Sequence, residues 1–228
     1  MLEKIKSSII VHLTKKPRIF PFVQWIRGKN SKFFCGLDTD LVIEGFDSSA
    51  NSFIFNVFRF LNSEINISHH THSVANMKRA RYYGVPTVVL YRDPEDAIPS
   101  SVSRFRPSLD EALHRYICFY RYALQVQEEV ELVSFETATS RFEDVVRRVE
   151  EGTPLSFDEF DPVALEGRVV AHIQDWSKRH GKEQEKALPS EERERRKKDL
   201  RASLQSMTKL EEARSLFQAL EEASSRRQ

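Results

Sequence analysis

Short apolar runs alternate with stretches of helical periodicity between residues 41 and 150. The first run, Leu41-Val42-Ile43-Glu44-Gly45-Phe46, is closed by a polar turn and predicts a buried strand. Residues 47–51 are rich in helix-capping side chains. Phe53, Ile54, Val57, Phe58 and Leu61 then fall on one face of a helix over Ser52 to Leu61. Glu64 to Ser68 alternates around Ile65 and Ile67, predicting a second strand that ends in His69-His70-Thr71-His72. Ser73 to Tyr83 reads as a helix stopped by Gly84. Pro86 to Tyr91 is a third strand of buried type, and Pro94 fits the first position of a helix. Leu109 to Gln127 predicts a long aromatic helix, Val130 to Phe135 a fourth strand, and Arg141 to Glu150 a helix closed by Gly152.

Strands alternating with helices predict an α/β fold, a parallel sheet flanked by helices with right-handed crossovers. Ligands of such sheets sit beyond the carboxyl ends of the strands. That rule gathers Asp47 to Ser52, His69 to His72, Arg92 to Ser101 and Glu136 to Thr139 on one rim. Beyond Lys178 apolar residues thin out. Residues 178–188 read as a linker, and 189–224 as one amphipathic terminal helix carrying Leu200, Leu204, Met207, Leu210, Ala213, Leu216, Phe217 and Leu220. The chain therefore divides into an α/β domain over 1–180 and a charged linker with a C-terminal helical extension over 181–228. That helix docks on the domain or forms a homodimer.

Composition narrows the chemistry. Of 228 residues, 40% are hydrophobic, including 16 Phe, which excludes a disordered chain. The net charge of +1 argues against a nucleic-acid coat, although it averages over faces and leaves room for a local anion site. Two distant cysteines, Cys35 and Cys118, exclude a disulfide framework and fit a reducing cytoplasmic setting. No run approaches a membrane span. Lys15 to Phe34 mixes basic and aromatic side chains able to touch a membrane surface, but a lead-in segment packed on the domain is the preferred reading.

The turn from Gly45 to Ser52 has the form of an anion loop, with N–H groups at a helix start beside Ser48, Ser49, Asn51 and Ser52. The Walker pattern is absent, which disfavours triphosphate hydrolysis. Arg92 leaves the third strand at its carboxyl end, and Ser100 lies about two helical turns on, so both can face one cleft and hold a phosphate. His72 or His70 is a candidate general base. A zinc site from the histidine run is disfavoured, because neighbours on an extended strand point to opposite faces. Cys118 belongs with the aromatic core, and Glu136 is a candidate second carboxylate or a helix cap.

The array resembles the cytosolic and bacterial sulfotransferases that use 3′-phosphoadenosine 5′-phosphosulfate (PAPS). Arg92, Asp93, Pro94, Asp96 and Ser100 match that family's 3′-phosphate motif in residue and spacing. Gly45-Phe46-Asp47-Ser48-Ser49-Ala50-Asn51-Ser52-Phe53 aligns without gaps with its 5′-phosphosulfate loop, matching at Gly45, Phe46, Ser49, Asn51 and Phe53. His69, His70 and His72 fall in the window of the family's histidine base, and Val133-Ser134-Phe135-Glu136 is similar to a later strand ending in an aromatic-Glu pair. The resemblance spans roughly residues 40 to 150. It implies a P-loop-like fold and a metal-free transfer of a sulfuryl group from PAPS to a hydroxyl of a small molecule or carbohydrate. Gly45, Ser48, Ser49, Ala50, Asn51 and Ser52 would hold the 5′ side, and Arg92 with Ser100 the 3′-phosphate. His72 or His70 would be the base. The chain departs from the family at Asp47 and Ser48, where a Pro and a basic residue are expected. Asp47 would repel an anion if desolvated without a partner, and a replacement cation would have to come from elsewhere, with Arg193 to Lys198 as candidates. Without one, the fold would serve as a catalytically impaired nucleotide-binding or interaction protein. Ala50 in place of Gly matters only if that position needs positive φ.

Overall fold

The computed structural model describes residues 33–180 and 191–226. Most of the basic-aromatic segment Lys15 to Phe34, the start of the chain and residues 181–188 of the expected linker lie outside the described residues, whereas Lys178 and Arg179 are helical rather than linker.

Four strands form one all-parallel sheet in the order β2-β1-β3-β4: β1 Leu41–Gly45, β2 Ile67–His69, β3 Thr87–Tyr91 and β4 Glu131–Ser134. Parallel pairing is registered by Ile43 opposite His69 and Val88, and by Tyr91 opposite Ser134. The helices between them are α1 Asn51–Leu61, α2 Val74–Tyr83, α3 Pro94–Phe105 and α4 Leu109–Gln125. After β4 come α5 Phe135–Ser140, α6 Phe142–Gly152, α7 Pro162–Arg179, α8 Glu191–Gln205 and α9 Leu210–Ser225. The expected α/β architecture is present.

Strand alternation sorts the core into two layers. Leu41, Ile43, Val88, Leu90 and Val133 pack toward α1, α6 and α7 with Ile54, Phe58, Val146 and Leu165. Val89, Tyr91 and Leu132 face the other way, onto Leu113, Tyr116, Phe119 and Tyr120 of α4. Leu204, Leu210, Ala213 and Leu220 belong to this second layer and are fully buried. The C-terminal segment thus docks on its own chain and covers β4, and Ser224 donates to the Leu132 carbonyl at 3.0 Å.

Several boundaries differ from expectation. The second strand is only Ile67–His69, because Glu64 turns back through Asn62, whose side chain accepts its N–H at 3.0 Å. The terminal segment is two helices, broken at 206–209. Gly84 closes α2 at φ 67, with Val85 N–H reaching the Ala80 carbonyl at 2.9 Å. Gly152 instead is the last helical residue, and Thr153 follows in extended backbone. Helix α7 was not predicted.

Candidate functional site

The carboxyl ends of β1, β2 and β3 open onto a cavity of about 310 Å³. The turn from β1 to α1 forms one wall through Ser48, Ala50, Asn51, Ser52 and Phe53. His70 and His72 come from the β2 rim, Arg92 from β3, Ser100 and Arg104 from α3. Phe135, Val170 and Ile173 add apolar surface from α5 and α7, and Lys197 reaches in from α8. Among the described residues, no carboxylate lines the cavity.

The turn is shaped by close packing. A Cβ on Gly45 would lie 2.6 Å from the Leu90 carbonyl, so only glycine lets β1 run this close to the end of β3. Tyr120 locks the next residue, accepting the Phe46 N–H at 3.2 Å and donating to the Leu90 carbonyl at 2.9 Å. Asn51 Nδ2 donates to the Phe46 carbonyl at 3.0 Å. The first N–H groups of α1 have no partner within their helix and start at this wall.

Two predicted loop residues stand behind the wall rather than in it. Gly45 packs on β3, and Ser49 is fully buried with its hydroxyl 3.3 Å from that of Tyr120. Ser48, Ala50, Asn51 and Ser52 line the cavity as expected. The Ser48 hydroxyl is buried without a hydrogen-bond partner among the described residues. Ala50 sits at φ 67, so the substitution for Gly does fall on a left-handed position.

Left-handed backbone concentrates here. Among the described residues, Ser48, Ala50, His70, His72 and Arg106 are the non-glycine residues with positive φ, and the first four all line the cavity. Such conformations cost of order 1–3 kcal/mol each and gather at functional sites.

Asp47 is not among the lining residues, and it has the partners whose lack would make it repel an anion. It is 5% exposed and takes the Arg115 guanidinium at 2.9 Å and the Ser101 hydroxyl at 3.0 Å. Burial pushes its carboxyl up, but His72, Arg115, Ser101 and Arg104 together outweigh burial and hold it below the usual range.

The Arg92 guanidinium lies over the Phe135 ring, its central carbon 3.9 Å from the ring centre, and donates to the Ser48 carbonyl at 3.1 Å. Tyr116 fixes its backbone, donating to the Arg92 carbonyl at 2.7 Å. Burial draws the Arg92 guanidinium below its ordinary value, and Asp96 opposes this. A guanidinium stripped of water in this way gains from an anion placed beside it. Lys197, from the charge run expected to supply a cation, pairs with Glu194 at 2.7 Å.

The two candidate bases differ in engagement. His72 Nδ1 meets the Gly45 carbonyl at 2.7 Å and so carries the proton there, while its Nε2 lies 3.5 Å from Asp47 Oδ1. His70 Nε2 lies 2.8 Å from the Ser52 hydroxyl, and its Nδ1 meets His69 Nδ1. His69 stacks on Phe55 at 3.7 Å, and burial, with His72 and Arg59 nearby, pushes its pKa down to about 4. A neutral His69 accepting at Nδ1 leaves the His70 Nε2 lone pair for a hydroxyl. Between the two loops, Thr71 donates at 2.5 Å to Glu44, a fully buried carboxyl raised by desolvation.

Glu136 is exposed and outside the lining, and Cys118 is half-buried beside His114 rather than in the core. Sequence reasoning missed Arg104, Arg115 and α7. Arg104 was within reach, since it lies four residues after Ser100 and so shares its helical face. Comparison with family models, curated proteins and solved structures finds no match for this chain.

Proposed function

We propose that the cavity binds the phosphates of PAPS and that the protein transfers its sulfuryl group to a hydroxyl acceptor. One observation carries the reading. The loop after β1, the histidine turn after β2, and Arg92 with Ser100 after β3 are far apart in sequence, yet they converge on one cavity lined by Arg92, Arg104 and Lys197 and, among the described residues, by no carboxylate. Arg92, Ser100 and Arg104 suit a phosphate monoester, through a guanidinium fork and a hydroxyl. The α1 start and the Ser48 hydroxyl suit the 5′ side.

In the reaction, His70 takes the proton of the acceptor hydroxyl at Nε2 as the oxygen attacks sulfur in line. That nitrogen already faces a hydroxyl, that of Ser52. The bond from sulfur to the 5′-phosphate oxygen breaks, and the leaving phosphate keeps the electron pair. Cationic and N–H donors stabilise the charge on the sulfuryl and leaving oxygens. His72, tied to the Gly45 carbonyl, fixes the strand end.

Calorimetric titration with 3′,5′-adenosine bisphosphate tests the reading. Wild type binds, and Arg92→Ala weakens binding at least about tenfold, or 1.4 kcal/mol. Absence of binding by wild type at about 1 mM ligand, where Kd would correspond to some −4 kcal/mol, overturns the proposal. A second reading, nucleotide binding without transfer, has in its favour that His72 Nε2 faces Asp47. It predicts bisphosphate binding with no labelled sulfate moved to any acceptor.

A further inference from the structure

Helix α3 contains a proline in its middle, Pro99. Proline has no N–H, so the carbonyl four residues earlier, that of Glu95, loses its helical donor. Arg201 of α8 takes that place, with Nε donating to the Glu95 carbonyl at 3.2 Å. The same guanidinium donates through Nη2 to the Asp96 carboxylate at 2.5 Å. Asp96 lies four residues after Arg92, and the Arg92 Nη2 stands 3.7 Å from its other oxygen, an ion pair beyond hydrogen-bond distance. Two arginines therefore face one carboxylate, and the one outside the cavity holds it. Neighbouring contacts fix the arrangement. Arg214 donates to Glu95 Oε1 at 2.8 Å, Gln205 bonds the other Glu95 oxygen, and Leu204 is fully buried.

We infer that Arg201 is a positioning residue for the anion site: by holding Asp96 it keeps the Arg92 guanidinium available to a phosphate. The inference rests on the proposed binding of a phosphorylated nucleotide. Without Arg201, Asp96 has Arg92 as its nearest cation, and an incoming phosphate must compete with a carboxylate for the same donors. The role is electrostatic, so it depends on the charge of Asp96 and not on contact with ligand.

The test is a four-member cycle of wild type, Arg201→Gln, Asp96→Asn and the double variant, titrated with 3′,5′-adenosine bisphosphate, with Arg201→Lys and Arg92→Ala alongside. Arg201→Gln is expected to raise Kd about tenfold. Asp96→Asn in the same chain restores affinity to within about twofold of wild type, because the competing charge is gone. Arg201→Lys keeps the charge and most of the affinity. Arg201→Gln binding as wild type, or a double variant as weak as the single, overturns the inference. Loss of α8 docking alone would produce that second result, since Asp96→Asn cannot repair it. If wild type itself does not bind, the functional proposal fails. If wild type binds, Arg92→Ala does not and Arg201→Gln is silent, only the present inference fails.

Discussion

Removing the Tyr120 hydroxyl should loosen the cavity wall from behind. Tyr120 is fully buried on α4. Its oxygen accepts the Phe46 N–H at 3.2 Å and donates to the Leu90 carbonyl at 2.9 Å. It thereby ties the start of the β1–α1 turn to the end of β3. In Tyr120→Phe the ring still fills its place, so the hydrophobic contribution is unchanged. The Phe46 N–H is left buried without its acceptor. An unmet buried donor costs roughly 1–3 kcal/mol, well above the net value of an exposed hydrogen bond. For a chain of this length each kcal/mol moves Tm by about 2–4 °C, so a fall of about 4–8 °C is expected for the central value of about 2 kcal/mol. Thermal unfolding followed by far-ultraviolet circular dichroism measures the shift, and urea titration gives the free energy as a lower midpoint at constant slope. A loss under about 0.5 kcal/mol would refute the reasoning, showing that water or a shifted turn satisfies Phe46.

Two further outcomes follow from the backbone and the histidine run. Ala50→Gly should stabilise the protein by about 0.5–1 kcal/mol, since it removes a left-handed alanine worth about 1–2 kcal/mol and returns part as unfolded-chain entropy; an unchanged or lower Tm contradicts the strain at φ 67. His69 has its pKa depressed to about 4, so its neutral form is the one the fold favours. Its contribution is complete above about pH 6.5 and is lost as pH falls from there to 4, some 3 kcal/mol at 1.36 kcal/mol per unit. Urea melts of wild type and His69→Phe across that window should diverge by this amount, and a pH-independent difference between them rules out a buried neutral His69.

The sheet was legible because its signals are local. Leu41–Gly45 and Thr87–Tyr91 are apolar runs buried on both faces, and Gly84 needed only its own φ to stop α2. The positions of Ser48, Ser52, His70, His72, Arg92 and Ser100 on one rim followed from strand order alone. What escaped depends on contacts between distant segments. Asp47 reads as a misplaced charge until Arg115, 68 residues later, is known to cover it. The break at 206–209 was hidden because apolar spacing continues through Met207 into Leu210, and the chain turns there so that both helices can bury one stripe on α3 and α4. Helix α7 lacked a signal because only Leu165, Val169 and Ser177 of its length are buried.

The same sorting of charge would let a chain with net charge +1 hold the proposed anion site. Among the described residues, Asp47 is paired with Arg115, Asp96 with Arg201 and Glu95 with Arg214, arginines outside the lining, while Glu194 is held by Lys197 of the lining itself. Two unit charges about 4 Å apart interact by about 4 kcal/mol near a protein surface, so an uncovered carboxylate at such a distance would cancel most of one cation's attraction for a phosphate. Arg92 and Arg104 remain on the lining with Lys197. The cavity's polarity is therefore set by the outer arginines as much as by the inner ones. Their removal would weaken an anion without any of them touching it. If the proposed function holds, the basic residue that the resemblance leads one to expect at Ser48 would be replaced by Lys197 of α8, released from Glu194, rather than by a cation within the loop.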